Sequence, residues 1–368
     1  MSEIRNELSL TRVINASGKM TILGGSKLSE AVTEAMCDGS QNFYVMSDLM
    51  MKSRQWIEMN YNVEAAWIVS SASSGIAQTV AAAIAQDNLD VILNPYAPNV
   101  TKRNIVIAKG HIVDYGTSIE VPIRMGGGTI IEAGFANACS KAHFESKITD
   151  DTAALLYVKS HHAVQKGMLE LEEVVELGKK YKVPVIVDAA AESDLNLYLN
   201  KGADAVIYSG TKALEGPTSG VVVGKATFID VLKLQGQGIG RVMKVGKESI
   251  FGLMAALLHF KKSQPATKAM QEAFMAPLLA RMNALDGVRA VSVQDGAGRP
   301  IYRASIAFTH AKDAIQMTKA LQENDPKIYT RDYRKNEGII EVDLRDVSET
   351  ELEEIAQAIE TLYGGLKK

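Results

Sequence analysis

Val183–Asp188 (VPVIVD) and Ala205–Lys212 (AVIYSGTK) are the stretches that decide the fold. Each opens on a short apolar run rich in β-branched residues and closes on a charged side chain. The runs are continuously apolar and do not alternate, which is the pattern of strands covered on both faces of a parallel sheet. Between Ala153–Val158 (AALLYV) and the first of them lies Leu171–Lys182, an amphipathic stretch with helical spacing. The three together form a strand–helix–strand crossover. In an open sheet of this kind ligands gather beyond the carboxyl ends of the strands, where Asp188 and Lys212 fall.

The same alternation extends in both directions. Toward the N-terminus, Ala66–Ser70 (AWIVS), Asn104–Ala108 (NIVIA) and Thr129–Ala133 (TIIEA) read as strands, and Gly75–Gln86 as an alanine-rich helix. Gly126–Gly128 precedes a strand instead of joining a strand to a helix, so it reads as a turn and not as a nucleotide loop. Toward the C-terminus, Gly220–Val223 (GVVV) adds one more strand, and composition shifts near Ser263–Pro265. Beyond that point lie a long helix (Lys268–Leu285) and strands at Arg289–Val293 and Arg303–Phe308. A helix (Ala311–Gln322) and strands at Lys327–Thr330 and Ile339–Val342 follow. The last helix opens on Ser348–Glu351 (SETE), a capping box. The expected architecture is α/β: an N-terminal arm and a large, mostly parallel-sheet domain over residues 1–262, then a small α+β domain over 263–368.

Composition narrows the function. The 368 residues are 46% hydrophobic and 23% charged with a net charge of -3, so no basic excess points to nucleic acid or an anionic membrane. No apolar run approaches the roughly 20 residues of a membrane span. Met1–Leu10 is too polar for a signal peptide. Cys37 and Cys139 give neither a disulfide framework nor a metal-ligand spacing. The expectation is a cytoplasmic enzyme acting on a small molecule, without a metal.

Three elements carry the chemistry. Lys212 follows Ser209 and Thr211 at a strand end; alone, such a lysine is usually a solvated loop residue. Asp188 ends another strand 24 residues earlier, where a lone aspartate is usually a turn former. Ser70–Ile76 (SSASSGI) joins the first strand to its helix; small residues there let backbone N–H groups approach a phosphate, with Ser74, Gly75 and Ile76 as the candidates, although a serine-capped helix start looks the same. Together they match one cofactor, pyridoxal 5'-phosphate. The lysine forms a Schiff base with its aldehyde, the hydroxyls and N–H groups hold its phosphate, and the aspartate keeps the pyridine nitrogen protonated, because an opposite charge favours the charged form. A protonated ring is the electron sink that stabilises a carbanion.

Four further segments, Arg12–Gly18 (RVINASG), His111–Gly116 (HIVDYG), Gly134–Asn137 (GFAN) and Gly240–Glu248 (GRVMKVGKE), resemble the catalytic core of the L-seryl-tRNA selenium transferase family. The resemblance runs from about Leu10 to the C-terminus. It implies an aspartate-aminotransferase-like fold (fold type I of the pyridoxal-phosphate enzymes) and a homodimer or higher symmetric assembly. The family's tRNA enzyme carries an extra N-terminal domain, whereas here the core begins almost at once. With the acidic balance, this resembles the family's small-molecule branch. That branch implies a lyase performing α,β-elimination on a hydroxylated amino acid, with D-glucosaminate 6-phosphate giving 2-keto-3-deoxygluconate 6-phosphate and ammonia. Lys212 would serve as the base at Cα, which requires its pKa to fall from about 10.4. Transamination, racemisation, cysteine-type β-elimination and a tRNA-linked seryl transfer remain open alternatives.

The remaining candidates concern substrate. Arg331 and Arg345 are the guanidinium groups in the C-terminal region suited to grip a carboxylate in bidentate fashion, with Arg331 favoured. Arg241, Lys244 and Lys247 form a basic cluster for a sugar phosphate, or else a solvated face. His111 could stack on the pyridine ring, or be structural. His161 and His162 follow the AALLYV strand and resemble the family's His-containing segment, which implies that one of them borders the site; Asn15 and Ser17 are expected to approach substrate from the N-terminal arm.

Overall fold

The computed structural model describes residues 3–160, 162–263, 266–296 and 298–366. The chain forms two compact units, one spanning Gly25–Ser263 and the other built from the residues up to Gly24 together with those after Ser263. The N-terminal arm, expected with the large domain, therefore belongs to the small one. Its strand β1 (Val13–Ala16) exposes Val13 and buries Ile14 and Ala16. An alternating strand of this kind is stable only when its backbone is paired and its apolar face covered.

In the larger unit, β2 (Ala65–Val69), β3 (Asn104–Ala108), β4 (Thr129–Ala133), β5 (Thr152–Val158), β6 (Val185–Asp188), β7 (Ala205–Ser209) and β8 (Gly220–Gly224) form one seven-stranded sheet. Its order is β2-β8-β7-β6-β5-β3-β4. All pairs are parallel except those of β8, which runs against both β2 and β7. Consequently the carboxyl ends of β2, β3, β5, β6 and β7 share one edge with the start of β8. The register is explicit there: Val158 lies opposite Asp188, Asp188 opposite Ile207, and Gly220 between Ser209 and Val69.

All seven residues of β5 and all five of β7 are buried, as a sheet covered on both faces requires. The Leu171–Tyr181 helix buries Leu171, Val174, Val175 and Leu177 in one core, shared with Ile250, Leu253 and Leu257 of the Lys247–Lys262 helix. The Ala72–Ala85 helix buries Ile76 and Val80 in the opposite one. Its small residues bring it hard against the sheet, since a Cβ on Gly75 would stand 2.9 Å from Ile207 Cγ2. Helices Glu30–Gln41 and Met46–Tyr61, not anticipated from sequence, complete the unit.

The smaller unit holds β9 (Val288–Gln294), β10 (Tyr302–Phe308), β11 (Lys327–Thr330) and β12 (Ile339–Val342). β12-β10-β9 is an antiparallel sheet, while β11 pairs in parallel with β1, from Val13 opposite Lys327 to Ala16 opposite Thr330. Ile14 and Ala16 join a separate core with Leu278, Ile306, Ile328, Ile340 and Ile355. The Ser348–Glu351 capping box forms, with reciprocal bonds of 2.9 and 3.2 Å.

Candidate active site

The shared edge of the large sheet collects the three chemical elements. Asp188, the last residue of β6, is buried; its carbonyl accepts from Lys159 N–H at 2.8 Å and its Oδ1 accepts from Ala190 N–H at 3.1 Å. Burial pushes its carboxyl up, while the positive charge of Lys212 and the Ala190 bond pull it back. Among the described residues Oδ2 accepts no hydrogen bond. A desolvated carboxylate with one oxygen open is what a protonated pyridine nitrogen calls for.

Lys212 follows β7 in a turn that is fixed at several points. Gly210 N–H donates to Ser219 O at 2.8 Å, Gly216 N–H to Gly210 O at 2.7 Å, and Ser26 Oγ to Thr211 O at 2.6 Å. A side chain at position 210 would drive its Cβ to 2.1 Å from Ser219 Oγ, so glycine is required there. Ser209 Oγ and Thr211 Oγ1 lie 3.1 Å apart, which keeps the two hydroxyls expected to serve a phosphate on the same side of the turn.

The phosphate cup differs from expectation in register. The helix after β2 begins at Ala72, not Gly75, because Ser71 is its N-cap. Ser71 Oγ accepts from Ser74 N–H at 3.0 Å, and Ser74 Oγ accepts from Ser71 N–H at 2.9 Å. Gly75 N–H donates to Ser71 O at 2.9 Å, and Ile76 lies further inside the helix. The N–H groups of Ser74, Gly75 and Ile76 are thus taken by the cap and the helix itself. The first-turn donors left over are those of Ala72 and Ser73. Gly220, beside them, keeps this end open, since a Cβ there would come within 2.9 Å of the Ser71 carbonyl carbon and 3.1 Å of Ala72 N. An uncommitted helix N-terminus bordered by a glycine cradle fits a phosphate.

His111 is not available for stacking. It has no exposed surface; its ring meets Tyr157 edge-on at 4.7 Å, and its Nδ1 accepts from Val158 N–H at 3.4 Å. Burial lowers its pKa to about 4, so the ring is neutral. Four residues on, Tyr115 is the polar ring that does reach the site. Its hydroxyl lies 3.1 Å from Ser73 Oγ, and the Asp188 charge adds to burial in raising its pKa. The sequence reading passed over it, although it stands in the quoted HIVDYG segment.

The substrate candidates divide. Lys247 donates to three carbonyls, Gly39 O, Ser40 O and Asn42 O at 2.6–2.7 Å, and so closes the C-terminus of the Glu30–Gln41 helix. That structural task removes it from the basic cluster; Arg241 and Lys244 are exposed. Asn15 and Ser17 are committed to each other: Asn15 Oδ1 accepts from Ser17 N–H and Oγ at 3.0 and 2.9 Å, and its Nδ2 donates to Gly18 O. They hold a turn in which Gly18 takes φ +90°, instead of presenting free polar groups. Arg345 forks onto Asp343 with bonds of 2.9 and 2.8 Å, so its bidentate face is occupied. Arg331 keeps a buried Nε without a hydrogen-bond partner among the described residues, the nearest acid being Glu341 at 3.7 Å. Between the two arginines, Arg331 has the capacity for a carboxylate. His162 is exposed, with its N–H bonded to Ser160 Oγ, and His161 lies outside the described residues. Cys37 and Cys139 are unbridged, and among the described residues no cluster of metal-ligating side chains occurs.

The family model described as L-seryl-tRNA selenium transferase matches residues 13–285. D-glucosaminate-6-phosphate ammonia lyase of Salmonella typhimurium (strain 14028s / SGSC 2262) is 40% identical, over 95% of each chain. A 5'-C-glycyluridine monooxygenase-decarboxylase of a Streptomyces species is 36% identical, over 97% of this chain and 92% of its own. A solved D-glucosaminate-6-phosphate ammonia-lyase structure superposes with a TM-score of 0.92 at 38% identity, covering 100% of both chains. An aspartate aminotransferase from Thermotoga maritima, 13% identical with a TM-score of 0.53 over 100% of this chain and 95% of its own, shares the fold alone.

Proposed function

The chain belongs to the L-seryl-tRNA selenium transferase family, whose cofactor is pyridoxal 5'-phosphate, and on that premise we propose that it is an ammonia-lyase. The substrate is a 2-amino acid bearing a hydroxyl at Cβ, with D-glucosaminate 6-phosphate first among them. The product is the corresponding 2-keto-3-deoxy acid, released with ammonia. The observation that carries the reading is the meeting of Asp188, Lys212 and the open N-terminus of the Ala72–Ala85 helix at one sheet edge, in a chain 40% identical to such a lyase.

Pyridoxal phosphate, when bound, supplies an electron-poor ring able to spread negative charge arising at Cα. The chain's residues do the rest. Lys212 Nζ would hold the cofactor's aldehyde carbon and, when released from it, would take the Cα proton. Asp188 Oδ2 would keep the ring nitrogen protonated, and its burial excludes the water that would otherwise weaken that pairing. Ala72 and Ser73 N–H would receive the cofactor phosphate, and Arg331 the substrate carboxylate. Overall the substrate would lose its Cα proton and β-hydroxyl as water and take up one water to release ammonia and the keto acid.

The reading extends to a homo-oligomer in the cytoplasm. Support for assembly comes from the run Phe43–Met46, in which Phe43 is 99% exposed and Val45 65%; an uncovered apolar run of this kind suits a partner subunit. Sedimentation at micromolar concentration reads the mass directly, and a fully active monomer would contradict it. The central test is the visible absorbance of the wild type and Lys212→Ala, followed by keto-acid and ammonia assays on D-glucosaminate 6-phosphate. The wild type is expected to show a cofactor band that Lys212→Ala lacks, and to release both products. A band with no product from this substrate would refute the substrate assignment while keeping the cofactor. The absence of any band after incubation with pyridoxal phosphate would remove the whole reading.

A further inference from the structure

Tyr115 stands in an unusual position for a loop tyrosine. It opens a three-residue bend closed by the bridge between Asp114 and Ser118, with Gly116 at φ +102° beside it. Tyr115 N–H donates to Thr117 O at 3.1 Å, and Gly116 N–H to Asp114 Oδ1 at 2.8 Å, so the backbone carrying the ring is tied down. The ring is half-buried against the core on the Ala72–Ala85 helix side of the sheet, and its hydroxyl lies 3.1 Å from Ser73 Oγ. Ser73 is the second residue of the Ala72–Ala85 helix and carries one of its two uncommitted N–H groups. Burial and the charge of Asp188 both raise the pKa of that hydroxyl. By its contact with Ser73, Tyr115 stands at the phosphate end of the site.

We propose that Tyr115 is a cofactor-positioning residue whose hydroxyl, paired with Ser73 Oγ, donates a hydrogen bond to the phosphate of pyridoxal phosphate. Either oxygen can donate in the Ser73–Tyr115 contact. With an anion present, Ser73 Oγ donates to Tyr115 Oη and leaves the one phenol proton for the phosphate, beside the N–H groups of Ala72 and Ser73. A phenol suits this task because the neighbouring carboxylate and burial both keep it protonated, and so a donor, at working pH. The inference rests on the cofactor assignment and adds to it a residue that the motif reading left without a role.

The test separates phosphate recognition from mere packing. Full-length chain stripped of cofactor is titrated with pyridoxal 5'-phosphate and, separately, with pyridoxal, following tryptophan fluorescence and visible absorbance. Tyr115→Phe keeps the ring and removes the hydroxyl. It is expected to weaken pyridoxal phosphate by about ten- to a hundredfold, the range for a hydrogen bond to a charged group. Pyridoxal, lacking the phosphate, should bind within about twofold of the wild type, by the same reasoning that no charged acceptor is lost. Ser73→Ala, which leaves Tyr115 intact, should show a smaller loss for pyridoxal phosphate with the same indifference to pyridoxal. Unchanged pyridoxal phosphate affinity in Tyr115→Phe, or an equal loss for both ligands, would overturn the proposal. A wild type that binds neither ligand would overturn the cofactor assignment itself, and so is told apart from a failure of the Tyr115 role.

Discussion

Replacing Asp343 by asparagine should cost the smaller unit much of its stability at neutral pH and flatten its response to acid. Asp343 receives two bonds from Arg345, at 2.9 and 2.8 Å, and a third from Arg303 Nε at 2.8 Å. Arg303 in turn reaches Asp295 at 2.8 Å, and Arg299 reaches Asp295 at 2.9 Å. The side chains of Arg303, Asp343 and Asp295 are only 2%, 0% and 3% exposed. Burial by itself would raise the Asp343 carboxyl, yet Arg345 and Arg303 hold it at about 2. Against about 3.9 in the unfolded chain, that difference is worth about 2–3 kcal/mol. A carboxyl held low stabilises the fold above its unfolded pKa, and that stability disappears as pH falls from about 4 toward about 2. The neutral amide removes this contribution and leaves Arg303 short of a counter-charge, so the loss at pH 7 should reach about 3–4 kcal/mol, within the range for a broken buried pair. Urea unfolding of both proteins at pH 7, 5 and 3 measures it. The variant should start lower and lose less on acidification, with Asp295, also held low by its arginines, supplying the remaining slope. Equal stability at pH 7, or parallel acid curves, would show that the carboxylate does not hold the network together.

Lys247→Met should lower the thermal midpoint while leaving substrate affinity alone. One part-buried charged hydrogen bond and the helix C-terminal charge interaction suggest about 1–2.5 kcal/mol, or about 2–5 °C in a melt. A raised KM for D-glucosaminate 6-phosphate with an unchanged midpoint would return Lys247 to the substrate site. Arg331→Lys keeps the charge but loses the planar fork, so KM for substrate should rise about ten- to a hundredfold with little change in melting. Unchanged KM in steady-state assays would exclude Arg331 as the carboxylate group.

Much of this architecture was legible because the governing signals are local. Continuous apolar runs such as Ala205–Tyr208 leave few alternatives to a doubly covered strand, and the structure places β7 there with all five residues buried. The Met46–Tyr61 helix escaped although Leu49, Met50, Trp56, Ile57 and Tyr61 meet the core at helical spacing, because a polar residue, Ser53, interrupts that stripe. The placement of β1 escaped for a different reason. Its partner Lys327–Thr330 lies more than 300 residues away, and pairing across that separation leaves no trace in either segment alone.

At the site, residue type was legible while commitment was not. Asp188 and Lys212 could be proposed from sequence because a strand end fixes where their side chains emerge. Whether a polar group is still available depends on partners that only the fold supplies. Lys247 and Arg345 have the right charge for a substrate, but three helix-terminal carbonyls and one buried carboxylate had already taken them. Ser74 has the right hydroxyl for a phosphate, but Ser71, three residues before it, claims it as the other half of a capping box. That exchange moves the usable N–H groups back to Ala72 and Ser73, and Ser73 is the residue Tyr115 touches. The phosphate end of the site thus follows from which serine caps the helix, so altering the cap should shift cofactor affinity even though Ser71 Oγ is spent on the backbone.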